Sequence, residues 1–363
     1  MKYLDEYRRP GPVQALLEKT RQALAGRKAV LMEVCGTHTV AIFRSGLRQV
    51  LPESVELLSG PGCPVCVTPN RYLDQAIAYG RLPGTIVTTF GDMFRVPGSS
   101  SSLEREKASG ADIRTVYSPA ESVELAAQNP DRHVVFLGVG FETTTPGVAA
   151  CVLTARDRGL RNYSVLCGHK TVPQALRALA SDPELRVGGL ILPGHVSTVI
   201  GAEPYRFLVS EFHIPSVIVG FEPADIVQGV LMLARQIAEG APRLEIQYRR
   251  SVQPQGNAKA VGFIERVFEP CDSVWRGIGN IPGSGLRIRS EFAEFDAEKR
   301  LDAEPEPEKS AAGCICGQVL RGVRKPSDCA LFGSSCTPTA PVGACMVSSE
   351  GTCAAYYKYG RES

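Results

Sequence analysis

The 363-residue sequence predicts an α/β fold: two similar parallel-sheet α/β domains facing a cleft, followed by a small cysteine-rich unit. Three observations predict it. From about residue 29 to 240, short β-branched or apolar runs alternate with helical stretches, the pattern of parallel strands covered on both faces. Each run ends in a Gly/Pro turn bearing polar groups, which places chemistry beyond the carboxyl ends of the strands. Six of the 12 cysteines crowd into residues 314–353, so a separate thiol-based unit closes the chain.

In chain order, residues 1–28 read as an N-terminal helical segment. Residues 29–130 form the expected first domain, with strands at AVLMEV, VELLSG and TIVTTF. Residues 131–243 form the second, with strands at HVVFLGVG, YSVL, GLIL and PSVIVG. The two look like copies: Cys35–Gly36 and Cys167–Gly168 lie 132 residues apart, as do Pro61–Gly62 and Pro193–Gly194, and His195 replaces Cys63. Residues 244–304 weaken into LEIQYRRSV, VGFIERVFEP and WRGIGNIPGSGL, which read as short strands and turns ahead of a charged, exposed connection. Residues 305–363 are the third unit, too short and too poor in large apolar residues to hold together without a metal centre.

A balance of 40 Lys and Arg against 38 Asp and Glu gives no electrostatic footing for nucleic acid as the main partner. The start, MKYLDEYRRPG, lacks the apolar core of a signal peptide, and no apolar run reaches the roughly 18 residues of a membrane span. A cytoplasmic protein with no membrane partner is expected. In a reducing cytoplasm, clustered cysteines read as metal ligands or catalytic thiols rather than structural disulfides.

The C-terminal spacing is Cys314-x14-Cys329-x6-Cys336-x16-Cys353. A structural zinc site would show two short Cys-x2-Cys knuckles, and this block has none. Four separated thiolates in Gly-, Ser- and Pro-rich loops suit an iron-sulfur cube better, making this unit a C-terminal iron-sulfur domain. A zinc-stapled binding module is the alternative. Cys316 and Cys345 are left over, and Cys316 could replace Cys314 because one residue separates them.

In Gly60-Pro61-Gly62-Cys63-Pro64-Val65-Cys66, the Cys-x-x-Cys spacing holds two sulfurs close enough to interconvert between dithiol and disulfide. The competing reading, half of a zinc knuckle, needs a second close pair that the neighbourhood lacks. Glu33-Val34-Cys35-Gly36-Thr37-His38 sets one thiol at a strand end entering a helix. There backbone N–H groups should lower its pKa and His38 could pair with the thiolate or orient a bound group. Cys35 is thus a candidate nucleophile or metal ligand, against the plainer reading of a small buried hydrophobe. Glu142, Thr143 and Thr144 lie at a helix start, where capping competes with ligand binding, and His195 offers a further imidazole. Cys167, His169 and Lys170 form a third polar turn, while Cys151 and Cys271 read as core or incidental thiols. The sequence has no radical-SAM Cys-x3-Cys-x2-Cys, phosphate loop or nucleophile-elbow serine, so nucleotide chemistry is not expected on this chain.

Together these motifs resemble the HypD family of hydrogenase maturation proteins. The resemblance runs through Cys35-Gly36-Thr37-His38, residues 60–66, residues 140–146, Pro193-Gly194-His195-Val196-Ser197 and the four-cysteine spacing, in one order. It implies a scaffold for assembling the Fe(CN)2CO unit of [NiFe]-hydrogenase, with a HypC-type chaperone as partner and a HypE-type protein as cyanide donor. By the same resemblance, Cys35 would hold the iron jointly with the chaperone. Cys314, Cys329, Cys336 and Cys353 would bind a [4Fe-4S] cluster, and Cys63 with Cys66 would pass electrons between cluster and iron. Thr37, His38, Glu142, Thr143, Thr144 and His195 would surround the iron's ligands and hydrogen-bond the cyanide nitrogens. The rival from another class is a cluster-dependent thiol-disulfide reductase acting on a small protein partner.

Overall fold

The structure is a computed structural model that describes residues 10–309 and 311–360. In chain order its strands are Ala29–Glu33 (β1), Val55–Ser59 (β2), Thr85–Thr89 (β3), Ile113–Thr115 (β4), His133–Gly138 (β5), Tyr163–Cys167 (β6), Gly189–Pro193 (β7), Ser216–Val219 (β8), Leu244–Ile246 (β9), Phe268–Trp275 (β10) and Gly279–Ile288 (β11). Every run read as a strand between residues 29 and 220 is one. The three-residue β4 escaped the reading because so short a run carries no pattern.

Two parallel sheets result. One has the order β2-β1-β7-β8-β9 and the other β4-β3-β5-β6. β3, β7 and β8 are buried along their whole length, which is why they read as continuous apolar runs rather than alternating ones. Helices cover the faces: Pro10–Leu24 lies along Pro223–Glu239, with Leu17, Leu24, Val227 and Val230 in one apolar cluster. Residues 1–9 of the expected N-terminal segment lie outside the described residues.

The lobes do not follow the sequential halves. β2 pairs with β1 and β1 with β7, and the whole second sheet is inserted in sequence between β2 and β7, so a boundary near residue 130 cuts that second sheet instead of separating two sheets. The 132-residue repeat dissolves on the same ground. Cys35 follows β1 in the middle of the first sheet, Cys167 ends β6 at the edge of the second, and Pro61 and Pro193 both belong to the first. The recurring Gly motifs are shared turn chemistry at carboxyl ends of parallel strands.

Between residues 244 and 304, β9 joins the first sheet and β10 pairs antiparallel with β11. Ala258–Val267, which the sequence suggested as strand and turn, is a helix capped by Asn257, whose side chain accepts from Ala260 N–H at 3.1 Å. The hairpin lies across the end of the second sheet, where Leu286 N–H donates to His169 O at 3.1 Å and Thr171 N–H donates to Ser284 O at 2.8 Å. The charged connection then runs along the surface, tied by Gln75 to Ala303 O at 2.7 Å and Asn70 to Lys309 O at 2.6 Å.

The cysteine-rich unit docks on both lobes. Tyr356 packs edge-on against Phe43 at 4.6 Å, Asp92 accepts from Ser349 Oγ at 2.8 Å, and Lys325 pairs with Glu56 at 3.0 Å. One apolar cluster therefore contains residues from the first sheet, from turns and helices that follow the strands of the second, from the hairpin and from the C-terminal unit. Among the described residues no helix is long and apolar enough to cross a membrane.

Candidate metal centre and thiol-redox site

Cys35 stands at the N-cap of the helix Gly36–Arg44, two residues beyond the end of β1. Two glycines let other segments lie directly on its backbone. A Cβ on Gly62 would sit 2.3 Å from Cys35 N, and one on Gly36 would sit 2.5 Å from Glu350 Cβ. Gly36 N–H donates to Gly62 O at 3.0 Å, so the loop after β2 is fastened to the Cys35 turn. The expected lowering of the thiol pKa is reversed. Burial pushes Cys35 up to about 12, helped by Glu350 and opposed by the N–H groups of His38 and Thr37. Two backbone dipoles do not replace the water that a thiolate loses at 8% exposure. Cys35 is therefore a neutral thiol around neutral pH.

His38 donates from Nε2 to Gly220 O at 2.9 Å, leaving Nδ1 as a bare lone pair, buried and without a partner among the described residues. Burial lowers its pKa to about 4. In this tautomer the ring can receive a proton or a hydrogen bond but cannot donate to a cyanide nitrogen, unlike the donor role suggested by sequence. His38 and His195 both stack on the Phe221 ring, at centroid distances of 4.5 and 3.8 Å. Thr37 donates its hydroxyl to Glu350 Oε1 at 2.7 Å, tying this turn to the C-terminal unit.

Glu142 reaches the same region from the second lobe. It does not cap its own helix: Oε1 accepts from Val172 N–H at 3.0 Å, at the start of the neighbouring helix Val172–Ala180, while Oε2 is buried without a partner among the described residues. Burial pushes this carboxyl up to about 7. The Tyr205 hydroxyl is buried beside Ser197 without reaching hydrogen-bond geometry; burial pushes its pKa up, with Glu142 and Cys35 adding to the shift. Thr143 and Thr144 are not brought in. Thr143 is exposed, and Thr144 donates back to Phe141 O at 3.2 Å.

Cys63 and Cys66 form a disulfide with Cα atoms 5.2 Å apart. Pro64 starts the single-turn helix Pro64–Val67, and Cys66 N–H donates to Cys63 Sγ at 3.1 Å, so one helical turn sets the spacing. Both sulfurs lie in the same apolar cluster as Cys345, Ala344 and Trp275. Beside it, a small cavity of about 20 Å³ is lined by Cys314, Cys316, Cys329, Cys336, Cys345 and Cys353, together with Leu331, Phe332 and Met346. The two surplus thiols of the sequence thus belong to the same wall as the expected four.

The cavity suits a cluster better than one ion. Among the described residues no group of three metal-binding side chains is placed to hold a metal ion, so the case for a cluster rests on the six thiols that line one wall. Thiols spread around an apolar cavity fit a cube, whose ligands attach to separate irons. A hydrogen bond with Cys316 raises the Cys314 pKa, and burial pushes Cys353 up to about 12, so loading a metal here releases protons.

The third polar turn has a different job. Cys167 Sγ donates to Leu286 O at 3.0 Å and Lys170 Nζ to Ser273 Oγ at 2.7 Å, fastening the hairpin to the second lobe. Cys151 is buried in the core of that lobe. Sequence reasoning missed Phe221, Tyr205, Glu350, Arg276 and Glu33. A signal existed for Glu33, the lone acid in an apolar strand run: it accepts from Thr39 Oγ1 at 2.6 Å and from Cys35 N–H at 3.3 Å.

Fold and site together define a thiol-rich α/β protein in which one buried thiol at a strand end, a buried disulfide and a six-sulfur cavity adjoin a common core. A family profile for HypD, described as "Hydrogenase formation hypA family", matches residues 12–360. The hydrogenase expression/formation protein HupD of Azotobacter chroococcum mcd 1 is 49% identical over 370 residues, covering 100% of this chain and 98% of its own length. The hydrogenase maturation factors HypD of Azotobacter vinelandii and Escherichia coli (strain K12) are 48% and 45% identical, covering 100% of this chain and 98% and 99% of their own lengths. The chain belongs to the HypD family of hydrogenase maturation factors.

Proposed function

We propose that this chain is the scaffold and redox component on which the Fe(CN)2CO unit of [NiFe]-hydrogenase is assembled, in complex with a HypC-type chaperone and with cyanide from a HypE-type partner. The observation that carries the reading is continuity: one buried core runs from Val34, beside Cys35, through Cys63 and Cys66 to Cys345 in the wall of the six-thiol cavity. The iron unit is the substrate. Cys35 binds it as a thiolate, its S–H proton leaving as the S–Fe bond forms, and a soft, low-valent iron favours such an anchor. The Tyr205 hydroxyl and the His195 imidazole are the groups suited to donate to cyanide nitrogens. The Nδ1 lone pair of His38 and the Glu142 carboxyl are suited to accept protons.

Cys314, Cys329, Cys336 and Cys353 would hold a [4Fe-4S] cluster, which supplies a one-electron store. Cys63–Cys66 is the two-electron store: two electrons from a low-potential one-electron carrier protein and two protons break the S–S bond and leave two thiols. The rival, a free-standing disulfide reductase, needs its sulfurs within reach of another protein. Burial of Cys63 and Cys66 at 3% and 0% exposure weighs against direct exchange. The test is anaerobic iron and acid-labile sulfide analysis of the full chain with its visible spectrum. Four irons per chain and a brown chromophore are expected, lost in Cys336→Ser and kept in Cys35→Ala. A colourless, iron-free protein overturns the cluster assignment.

A further inference from the structure

We propose that Arg276 is the electrostatic link between the Cys63–Cys66 pair and the six-thiol cavity, a positioning residue that sets the reduction potential of whatever iron-sulfur centre the cavity holds. The proposal rests on the reading of that cavity as a cluster site.

Arg276 lies in the turn between β10 and β11, far in sequence from every cysteine motif. Its backbone N–H donates to Val67 O at 2.8 Å and its Nε donates to Thr68 O at 2.7 Å. Those carbonyls end the one-turn helix that begins at Cys63, so Arg276 clamps the carboxyl end of the disulfide turn. The next residue fixes the other side of the contact. A Cβ on Gly277 would sit 2.4 Å from Gly317 Cα, and one on Gly317 would sit 2.3 Å from Gly277 O, so the hairpin turn lies backbone to backbone on the helix Cys316–Leu320. Arg276 consequently lines a cavity with Cys314 and Cys316, and Glu308 stands on the same wall.

One guanidinium nitrogen is left over. Nη2 is buried with no hydrogen-bond partner among the described residues, a state that native interiors rarely tolerate for a charged donor. Burial lowers the pKa of this guanidinium, and the groups that oppose the shift are, in order, Cys316, Cys345, Cys314 and Glu308, of which Cys314, Cys316 and Glu308 share its cavity wall. A cube held by four thiolates is an anion, and it gains another negative charge on reduction. A fixed cation beside it favours the reduced form and raises the potential. Arginine suits the post because it stays charged and its planar fork can hold Thr68 O while another N–H points elsewhere.

The experiment compares full-length wild type with Arg276→Gln and Arg276→Lys after anaerobic cluster reconstitution, using iron and sulfide analysis followed by a spectroscopic redox titration. Arg276→Gln should take up as much iron as wild type. Its reduced-to-oxidised ratio at a fixed potential should fall about tenfold, a 59 mV shift to lower potential for one electron. Arg276→Lys, which keeps the charge but loses the fork, should stay within about threefold of wild type. Arg276→Met serves as a second neutral variant if the glutamine form does not fold. A fully loaded neutral variant titrating like wild type overturns the proposal, as does a lysine variant shifted as far as the neutral ones, which would make the effect one of packing. If wild type itself takes up no cluster, the cavity reading fails and the role of Arg276 falls with it.

Discussion

Gly62→Ala tests how the Cys35 turn is built. The added Cβ would meet Cys35 N at 2.3 Å, Cys35 Cα at 2.4 Å and Val34 C at 2.5 Å, all of them main-chain atoms that no rotamer change can move aside. Reaching ordinary contact at 3.4 Å demands a backbone displacement of about an ångström. β1 and β2 are locked in parallel register up to Glu33 and Ser59, so the displacement falls on the two turns and breaks the bond from Gly36 N–H to Gly62 O. Overpacking costs about 1–3 kcal/mol and the lost hydrogen bond about 1 kcal/mol, giving a destabilisation of roughly 2–4 kcal/mol. The single tryptophan, Trp275, is 1% exposed within the shared core, so its fluorescence reports urea unfolding. Peptide-mapped alkylation of Cys35 reports the turn itself and should speed up in the variant. Gly262→Ala is the control of opposite sign: nothing lies within 4 Å of its Cβ in the middle of a helix, and it should stabilise by about 0.5–1 kcal/mol. A Gly62→Ala protein that unfolds like wild type and protects Cys35 equally would refute this account of the turn.

Glu142 gives a pH dependence. Its folded pKa is raised from 4.5 to about 7 by burial, so its contribution to stability is fully present below pH 4.5 and is lost as pH rises towards 7. Glu142→Gln keeps an acceptor for Val172 N–H and removes the ionisation. Its stability relative to wild type, from urea midpoints, should climb between those pH values by at most about 3 kcal/mol, and a flat difference would contradict the burial argument. The disulfide predicts a thiol count: the unfolded, metal-free oxidised chain should titrate 10 free thiols and 12 after reduction, the two new ones mapping to Cys63 and Cys66. Any other pair would exclude this disulfide as the redox element.

Much of this protein was legible because its strands are buried on both faces and its chemistry sits at their carboxyl ends. The runs at β1, β3 and β7 announce themselves through continuous apolar sequence, and the turns after them carry Cys35, Asp92 and His195. Pairing across 158 residues was not legible, since nothing local in AVLME states that its neighbour is GLILP rather than TIVTT. The helix Ala258–Val267 was misread because Val261, Phe263 and Ile264 mimic a strand composition. At the site, the motif positions were readable and their electrostatics were not. Helix-start reasoning predicted a low thiol pKa for Cys35, but burial dominates, and burial depends on Glu350 and Gly62 arriving from elsewhere in the chain. Cys345 looked surplus because spacing counts ligands and cannot show which thiol lines a cavity. Arg276 and Tyr205 belong to no motif, and only their unpartnered polar atoms mark them.

The central claim, that Cys35 anchors an iron carrying cyanide and carbon monoxide, is tested most directly by the infrared spectrum of this chain purified anaerobically with a HypC-type chaperone. Wild type should show cyanide and carbon monoxide stretching bands. Cys35→Ala should lose them while keeping the visible spectrum of the C-terminal cluster. Bands of equal intensity in the Cys35→Ala complex would contradict the account.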